Sequence, residues 1–518
     1  MNLYSSIKNL SAEWKLILCF ASLKIAIHFL SYSNFELHRD AYLYYAQSEH
    51  LAWGFSSIPP LNALLGKIAT LIFGNTTFGL RFFPALIGGA TVIIIGMAVN
   101  ELGGKSLAIV LASLAFILSP AYLHSNALFQ PVSLNQFFWL LSEYLLLLMI
   151  KREDPKLWLW IALVFGLAFL NKYSIVFLDT ALGLALLFSP YRRFYKSKYF
   201  GYAVGLGLVI ILPNLVWQSG HQWPVFRHLA ELRESQLVHV HLSSFFFDQL
   251  LMNSQALLIW FGALLILLFY KKEAEYRVFG ILFGFVLVIL ALGSGKSYYS
   301  LGAYPMLFVF GAYFTEKYIT KHLVYIIGFM IISMLFALYI SQSFDGIPFS
   351  TVEKIRSENG FNWEDGVSHD IPQDMADMTG WQEIGEKVST LFLSLSPEAQ
   401  SDCDIFCYHY GQAGAVMFYG KKHQLPQPIS FNDSFVFWDP DSLTKDYMIW
   451  VHAGNEPEIN PDSLLPGIFE KVELKGIIEN DYFRENGTRI YLCQTPKEAY
   501  KTYYKARIKT LKGSYQNE

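Results

Sequence analysis

Phe82-Phe-Pro-Ala-Leu-Ile-Gly-Gly-Ala-Thr-Val-Ile-Ile-Ile-Gly-Met-Ala-Val-Asn100 runs for nineteen residues without a charge. As a helix it would rise about 28 Å, close to the roughly 30 Å thickness of bilayer hydrocarbon. It reads as a membrane span, and ten further runs of the same character surround it. They extend from Trp14 to Tyr32, Leu107 to Leu123, Val132 to Ile150, Leu157 to Leu170, Tyr173 to Phe188, Gly201 to Trp217, Phe245 to Phe269, Val278 to Leu292, Leu301 to Tyr318 and Leu323 to Ser341. The runs on either side of Asn171-Lys172 are short and share that break.

Composition agrees with this reading and limits it. Of 518 residues 53% are hydrophobic and only 16% charged, yet mean hydropathy is only +0.32, so a polar part dilutes the membrane part. Split after Ser341, the chain carries 23 Lys+Arg against 15 Asp+Glu before that point and 16 against 27 after it. A moderately basic membrane body is joined to an acidic tail. These figures exclude a disordered or collagen-like chain and a basic nucleic-acid binder, and 4 Cys exclude a disulfide scaffold. No small-x-small cleavage site follows the first apolar run, which is expected to stay as an anchor.

With the N-terminus in the cytoplasm, the clusters Lys151-Arg152, Arg192-Arg193-Lys196-Lys198, Lys271-Lys272-Arg277 and Lys317-Lys321 all fall inside, as the positive-inside rule requires. Eleven spans then leave the C-terminal segment outside the cytoplasm. The sequence predicts a transmembrane domain over residues 1–342, with a first outer loop over 33–81, and an extracytoplasmic α/β domain over 343–518. Within the first loop, Leu61, Leu64, Leu65, Ile68, Leu71 and Ile72 share one helical face, and Pro59-Pro60 precedes them as a helix start. This predicts an amphipathic helix along the membrane surface. From about Phe344 the tail alternates strand-like runs, Asp404 to Tyr408 and Tyr447 to Val451, with helical stretches, Trp381 to Leu393 and Gln412 to Tyr419. Cys403 and Cys407 are each candidates to pair with Cys493, and three free thiols are the alternative.

Candidate chemistry concentrates on the outer side. Just beyond the first span stand His38-Arg39-Asp40, then Tyr42, Tyr44 and Tyr45, then His50-Leu51-Ala52-Trp53-Gly54. An Asp beside an Arg at a membrane surface can take a proton from a hydroxyl or hold a metal; the plain alternative is an aromatic belt with a surface ion pair. Arg39, Arg81, Lys172, Arg227, Arg233 and Lys296 are outer cations besides Lys67, and at a lipid boundary a phosphate is a natural partner for them, with snorkelling as the alternative. Gly293-Ser294-Gly295-Lys296-Ser297 lacks the spacing of a nucleotide-binding loop. Lys24, Glu143 and Asp179 lie inside spans, where internal pairing is a simpler account than a proton path. His221, His228, His239 and His241 share one loop without matching Cys or carboxylates. In Tyr408-His409-Tyr410-Gly411-Gln412-Ala413-Gly414 the glycines read as turn formers.

As a set these segments resemble the integral-membrane glycosyltransferases of the GT-C type. The segments are His38-Arg39-Asp40 with Tyr44-Tyr45, His50 to Gly54, Pro59-Pro60-Leu61, Phe78 to Leu86, Leu170-Asn171-Lys172-Tyr173-Ser174, Gly295 to Pro305 and, in the tail, Tyr410 to Ala415 with Leu425-Pro426. The chain is similar to the glycosyltransferase 39 and dolichyl-phosphate-mannose-protein mannosyltransferase-like enzymes, a group that includes the lipid A aminoarabinose transferase. The resemblance implies a multi-span α-helical membrane protein of about eleven transmembrane helices, with outer-face amphipathic helices and a C-terminal soluble α/β domain. It implies transfer of a sugar, with inversion, from a polyprenyl-phosphate carrier to a hydroxyl of a lipid, glycan or protein at the outer face of the cytoplasmic membrane.

Asp40 matches the family's first-loop catalytic carboxylate. The implied donor phosphate and sugar contacts are Arg39, Arg81, Lys172, Tyr173, Lys296, Tyr298 and Tyr299. Many relatives have a Glu directly after the Asp; here it is Ala41, and no metal ligand is assigned, which leaves use of a divalent metal open. The chemistry suits one carboxylate, because a lipid phosphate leaves without protonation and needs only charge stabilisation. The rival readings are a transporter or flippase of lipid-linked sugar and a non-catalytic relative that binds the carrier. No nucleic acid partner is expected.

Overall fold

The structure is a computed structural model that describes residues 10–341, 360–364, 366–454 and 460–515. The expected boundary at 342/343 and the tail's start at Phe344 lie outside the described residues. The chain divides into two compact units. One holds the described residues of Met1–Tyr32, Arg81–Pro213 and Leu232–Ser350, the other those of Ser33–Leu80, Asn214–Glu231 and Thr351–Glu518.

Every one of the eleven apolar runs contains a helix. Among the described residues, Ala12–Ser31, Thr77–Leu102, Pro131–Arg152, Lys198–Gly220 and Lys271–Leu292 are long and apolar enough to cross a membrane, and two bent pairs bring the number to seven. The pairs are Ile175–Leu187 with Pro190–Lys196, bent by 109°, and Leu242–Leu251 with Ser254–Phe269, bent by 59°. Of the remaining runs, Leu323–Ser341 is one helix of 19 residues, and the other three form shorter helices. Ser106–Ile117 stops ahead of Ser119-Pro120, a pair that disfavours further helix. Leu157–Phe169 stops just before Asn171, whose side-chain amide donates to the Pro131 carbonyl at 2.8 Å. Tyr304–Tyr318 follows a 3-10 turn over Ser297–Ala303. Helices of 12 to 15 residues rise only about 18 to 22 Å, so the eleven runs do not all make full-length spans.

The membrane helices pack through small residues. A side chain at Gly302 would meet the Trp139 ring at 2.6 Å, and one at Gly311 would lie 2.2 Å from the Ile259 carbonyl oxygen. The pairing expected among Lys24, Glu143 and Asp179 does not form. Lys24 donates to the Tyr122 carbonyl at 2.9 Å and lies over the Phe116 ring, while one oxygen each of Glu143 and Asp179 is buried without a hydrogen-bond partner. The Tyr122 carbonyl, in the short helix Pro120–Ser125, serves as the lysine's acceptor.

In the second unit, α1 (Arg39–Glu49) and α2 (Leu61–Phe73) come from the first loop. Pro60 stands at the N-cap of α2, where the sequence places the start. Its small and polar face, Asn62, Ala63, Gly66 and Ala69, is buried, while Leu64, Ile68, Leu71 and Ile72 stay exposed. Exposed large apolar side chains are what a surface helix presents to lipid. The tail adds β1 (Phe361–Asn362) and β2 (Ser368–His369), a short antiparallel pair, then α3 (Trp381–Leu393), β3 (Cys403–Cys407), α4 (Tyr410–Gly420), β4 (Tyr447–His452), β5 (Phe469–Ile477), β6 (Arg489–Pro496) and α5 (Glu498–Gly513).

The main sheet has the order β3-β4-β6-β5, with β3 parallel to β4 and the other pairs antiparallel. Phe406, Met448, Trp450, Tyr491 and Phe469 on one face pack with Tyr500, Tyr504 and Ile508 of α5. Strand alternation sends Ile405, Ile449 and Val451 to the opposite face. Because β4 lies between β3 and β6, Cys403 and Cys407 each stand at least two strand spacings, or about 9.6 Å, from Cys493. That exceeds disulfide reach, and all three are buried free thiols.

Candidate active site

Two histidines set up the outer carboxylate cluster in the same way. His38 is the extended N-cap of α1, and its Nδ1 accepts the Asp40 amide at 3.1 Å; His409 is the N-cap of α4, and its Nδ1 accepts the Gly411 amide at 3.1 Å. Side chains that accept such a bond satisfy amides the first helical turn leaves open. The other ring nitrogen, Nε2, faces carboxylates in each case. His38 Nε2 lies 3.7 Å from both Asp374 Oδ1 and Asp377 Oδ2, and His409 Nε2 lies 2.5 Å from Glu485 Oε1.

The two helix starts converge on Asp40. Tyr410, the first residue of α4, donates its hydroxyl to Asp40 Oδ1 at 2.8 Å. Burial pushes that phenol well above its ordinary range, so it keeps the proton it donates. Arg39 sits over the Tyr410 ring at 5.4 Å, with Nε 3.8 Å from Asp40 and 3.9 Å from Asp377. Asp377 is fully buried and takes a second cation, Arg484 Nη1, at 3.1 Å. Glu485, equally buried, accepts from Gln412 at 2.8 Å. Its burial favours the neutral acid, but the His409 ring, with Arg39 and Gln412, outweighs this and holds it below the usual carboxylate range. For Asp40 burial also opposes charge, and His38, Arg39 and the Tyr410 hydroxyl overcome it, again holding the carboxyl below its ordinary value. Asp40 nonetheless keeps 30% of its side-chain surface exposed, against 6% for His38 and 16% for Arg39. It is an ionised carboxylate with an accessible edge.

The glycines of the tail segment make this approach possible. A side chain on Gly414 would lie 2.4 Å from the Tyr42 carbonyl oxygen, and one on Gly411 would lie 2.7 Å from Arg39 Cγ. They permit close helix packing, not the tight turn expected from the sequence. Within the second unit, Asn214 donates to the Trp53 carbonyl at 2.7 Å, and Gly54 lies against the Trp217 ring.

A second group of expected residues assembles in the membrane unit. Lys172 Nζ lies over the rings of Tyr298 and Tyr299, at 5.8 and 5.3 Å, and those rings meet edge to face. Lys296 donates to Gln236 Oε1 at 2.6 Å, and the next residue, Ser297, donates to Asp248 Oδ2 at 2.6 Å. Ser300 and Tyr304 both donate to Gln249 Oε1, which fixes the far side of the turn. Tyr173 packs edge-on against Phe169 instead, and Arg81, buried, donates to the Tyr32 carbonyl.

Asp377, Arg484 and Glu485 escaped the sequence reading, and Tyr410 entered it only as part of a glycine-containing segment, because they come from segments distant along the chain. The usable signal is the pair of histidines one residue ahead of a helix, in His38-Arg39-Asp40 and His409-Tyr410-Gly411. Arg39 and Arg484 stand among the carboxylates in the places a divalent ion would need, so this donor set does not fit a metal. Among the described residues no group of three or more His, Cys, Asp or Glu is arranged to hold one, and His221 stacks on Trp217 at 4.0 Å.

Comparison with known proteins gives the fold its place. A family model described as dolichyl-phosphate-mannose-protein mannosyltransferase matches residues 57–217. The solved structure of ArnT from Cupriavidus metallidurans bound to undecaprenyl phosphate aligns over 93% of this chain and 98% of its own, with a TM-score of 0.60 and 12% identity. The chain shares the fold of this protein. The same fold is found in the mycobacterial arabinofuranosyltransferase AftD, with a TM-score of 0.54, 11% identity and coverage of 94% of this chain but 40% of that one. At these identities the likeness is one of fold. By sequence the chain is 26% identical over 204 residues to the lipid A galacturonosyltransferase RgtD of Rhizobium johnstonii, a match spanning 39% of this chain and 43% of that protein. The chain is a multi-pass membrane protein with a small C-terminal sheet domain.

Proposed function

We propose that this chain is an inverting glycosyltransferase of the GT-C type that moves a sugar from a polyprenyl-phosphate carrier to an acceptor hydroxyl. The observation that carries the reading is Asp40: an ionised, partly exposed carboxylate fixed at a helix start by Tyr410 and by cations. Such a group takes the proton of an attacking hydroxyl as the new glycosidic bond forms. The bond from the anomeric carbon to the carrier phosphate breaks on the opposite face, which inverts the centre. The departing phosphate needs positive charge, and Lys172 and Lys296 supply it, with Arg81 adding to it. Tyr298 and Tyr299, against which Lys172 rests, meet the sugar or head group, and Arg39 and Tyr173 complete the donor contacts. A low carboxylate pKa makes Asp40 a weak base but keeps it ionised at every physiological pH, which suffices where the leaving group is already good.

The donor chemistry draws support from the undecaprenyl phosphate bound in the ArnT structure of like fold, and transfer to a lipid from the galacturonosyltransferase relative. The reaction takes place at the outer face of the cytoplasmic membrane, with the N-terminus inside and the C-terminal domain outside, as the Lys/Arg distribution requires. Vesicles containing the purified protein and a labelled polyprenyl-phosphate sugar test the proposal. Loss of label from the carrier into an acceptor is expected. Label that only changes leaflets identifies a flippase, and label that stays on the carrier in place identifies a binding protein. Mass spectrometry of glycolipids and surface glycans from a deletion strain and its parent then names the sugar and the acceptor.

A further inference from the structure

The mechanism uses Asp40, which belongs to the first loop, yet the group in closest contact with its carboxylate belongs to the C-terminal segment, some 370 positions along the chain. The contact is specific in both partners. Tyr410 is the first residue of α4 and Asp40 the second of α1, so each projects from a capped helix start with little freedom to drift. The cap histidines are themselves held, His409 by Glu485 and His38 between Asp374 and Asp377. Gly411 and Gly414 let the two helices approach to the distance that a 2.8 Å bond demands. Arg39 lies over the same tyrosine ring, so the ring sets the position of a cation and its hydroxyl the position of the neighbouring anion.

We propose that Tyr410 is a positioning residue for the transfer reaction: its hydroxyl occupies Asp40 Oδ1 and turns the other oxygen, Oδ2, toward the acceptor hydroxyl. The C-terminal domain is therefore part of the catalytic machinery and not an appendage to it. The inference rests on Asp40 being the base. A carboxylate has two equivalent oxygens, and an undirected one spends part of its time with neither aimed at the substrate. Tying down Oδ1 removes that freedom. The hydroxyl also donates to the charged form of the carboxylate, which favours ionisation. His38 and Arg39 on α1 and Arg484 on the tail act in the same direction, while Asp374 and Asp377 oppose it.

The test compares full-length wild type, Tyr410→Phe and Asp40→Asn in lipid nanodiscs with a polyprenyl-phosphate sugar donor, across pH. Phe keeps the ring beneath Arg39 and removes only the hydroxyl. Tyr410→Phe is expected to lower kcat by about tenfold or more, leave the donor KM within about twofold, and move the acidic limb of the kcat profile to higher pH. That limb is independent of the fraction of protein that is active, so a partly unfolded variant still reports it. A fall in kcat with the limb unmoved assigns Tyr410 a merely structural role and overturns the proposal. So does an unchanged kcat when Asp40→Asn is inactive, an outcome that leaves Asp40 as base. Activity retained by Asp40→Asn removes the base itself, and the positioning role with it.

Discussion

Asp40 and Lys296 are both readable as single residues, and for the same reason: a charge beside lipid requires a partner, which a phosphate or a reacting hydroxyl can provide. The structure gives Lys296 a neutral amide, Gln236 Oε1, and turns the following serine to Asp248. Lys296→Ala is expected to lower kcat/KM for the lipid-linked donor by about tenfold to a hundredfold, the effect of losing one charge-assisted contact of roughly 1.5 to 3 kcal/mol. Steady-state kinetics with varied donor check this; unchanged kinetics would mean the lysine only reaches for the membrane surface. The residues around Asp40 were legible only in part. His38-Arg39-Asp40 is contiguous, so its chemistry is visible in one glance at the sequence. Asp377, Arg484 and Glu485 act by lying beneath it, fully or largely buried, and nothing in their local sequence distinguishes them from surface charges.

Elements follow the same division between local and distant causes. α2 begins at Pro59-Pro60 and α3 runs from Trp381 to Leu393, as periodicity predicts, because both are decided by neighbours three and four residues away. α1 was not visible as a helix. Its cap is a histidine, outside the usual set of Ser, Thr, Asp and Asn, and its tyrosines are not strong helix formers. Strands β3 and β4 appear within a residue of their expected ends, but the β3-β4-β6-β5 order is a long-range property, and with it went the question of the cysteines. The packing of α4 on α1 supplies a test at this scale. In Gly414→Ala the new methyl group would sit 2.4 Å from the Tyr42 carbonyl oxygen, a backbone atom with no room to yield. The variant is expected to lose about 1 to 3 kcal/mol, seen as a lower melting temperature by fluorescence, together with reduced transfer. A thermal profile matching wild type would show that α4 and α1 do not pack this closely.

At the scale of the whole molecule, the first loop and the C-terminal segment form one compact unit, and the apolar helices another. Hydropathy announces the membrane body because each run carries its own signal. The joining of residues 33–80 to the tail is invisible in sequence, because it depends on contacts across several hundred positions. We propose from the basic flanks of the apolar runs that the tail lies outside the cytoplasm. A reporter that works only in the cytoplasm, fused after Glu518, is expected to be silent, and a strong signal would reverse the topology. The account's central claim is that this molecule transfers sugar with Asp40 as its base. Purified Asp40→Asn protein, confirmed as folded and still able to bind the carrier lipid, should be assayed beside wild type with the native donor. Asparagine keeps the size and can still accept from Tyr410, but it cannot take a proton. The account predicts a fall in turnover of about 10²- to 10⁴-fold. Retention of more than about a tenth of wild-type turnover, set against that same range, would contradict it.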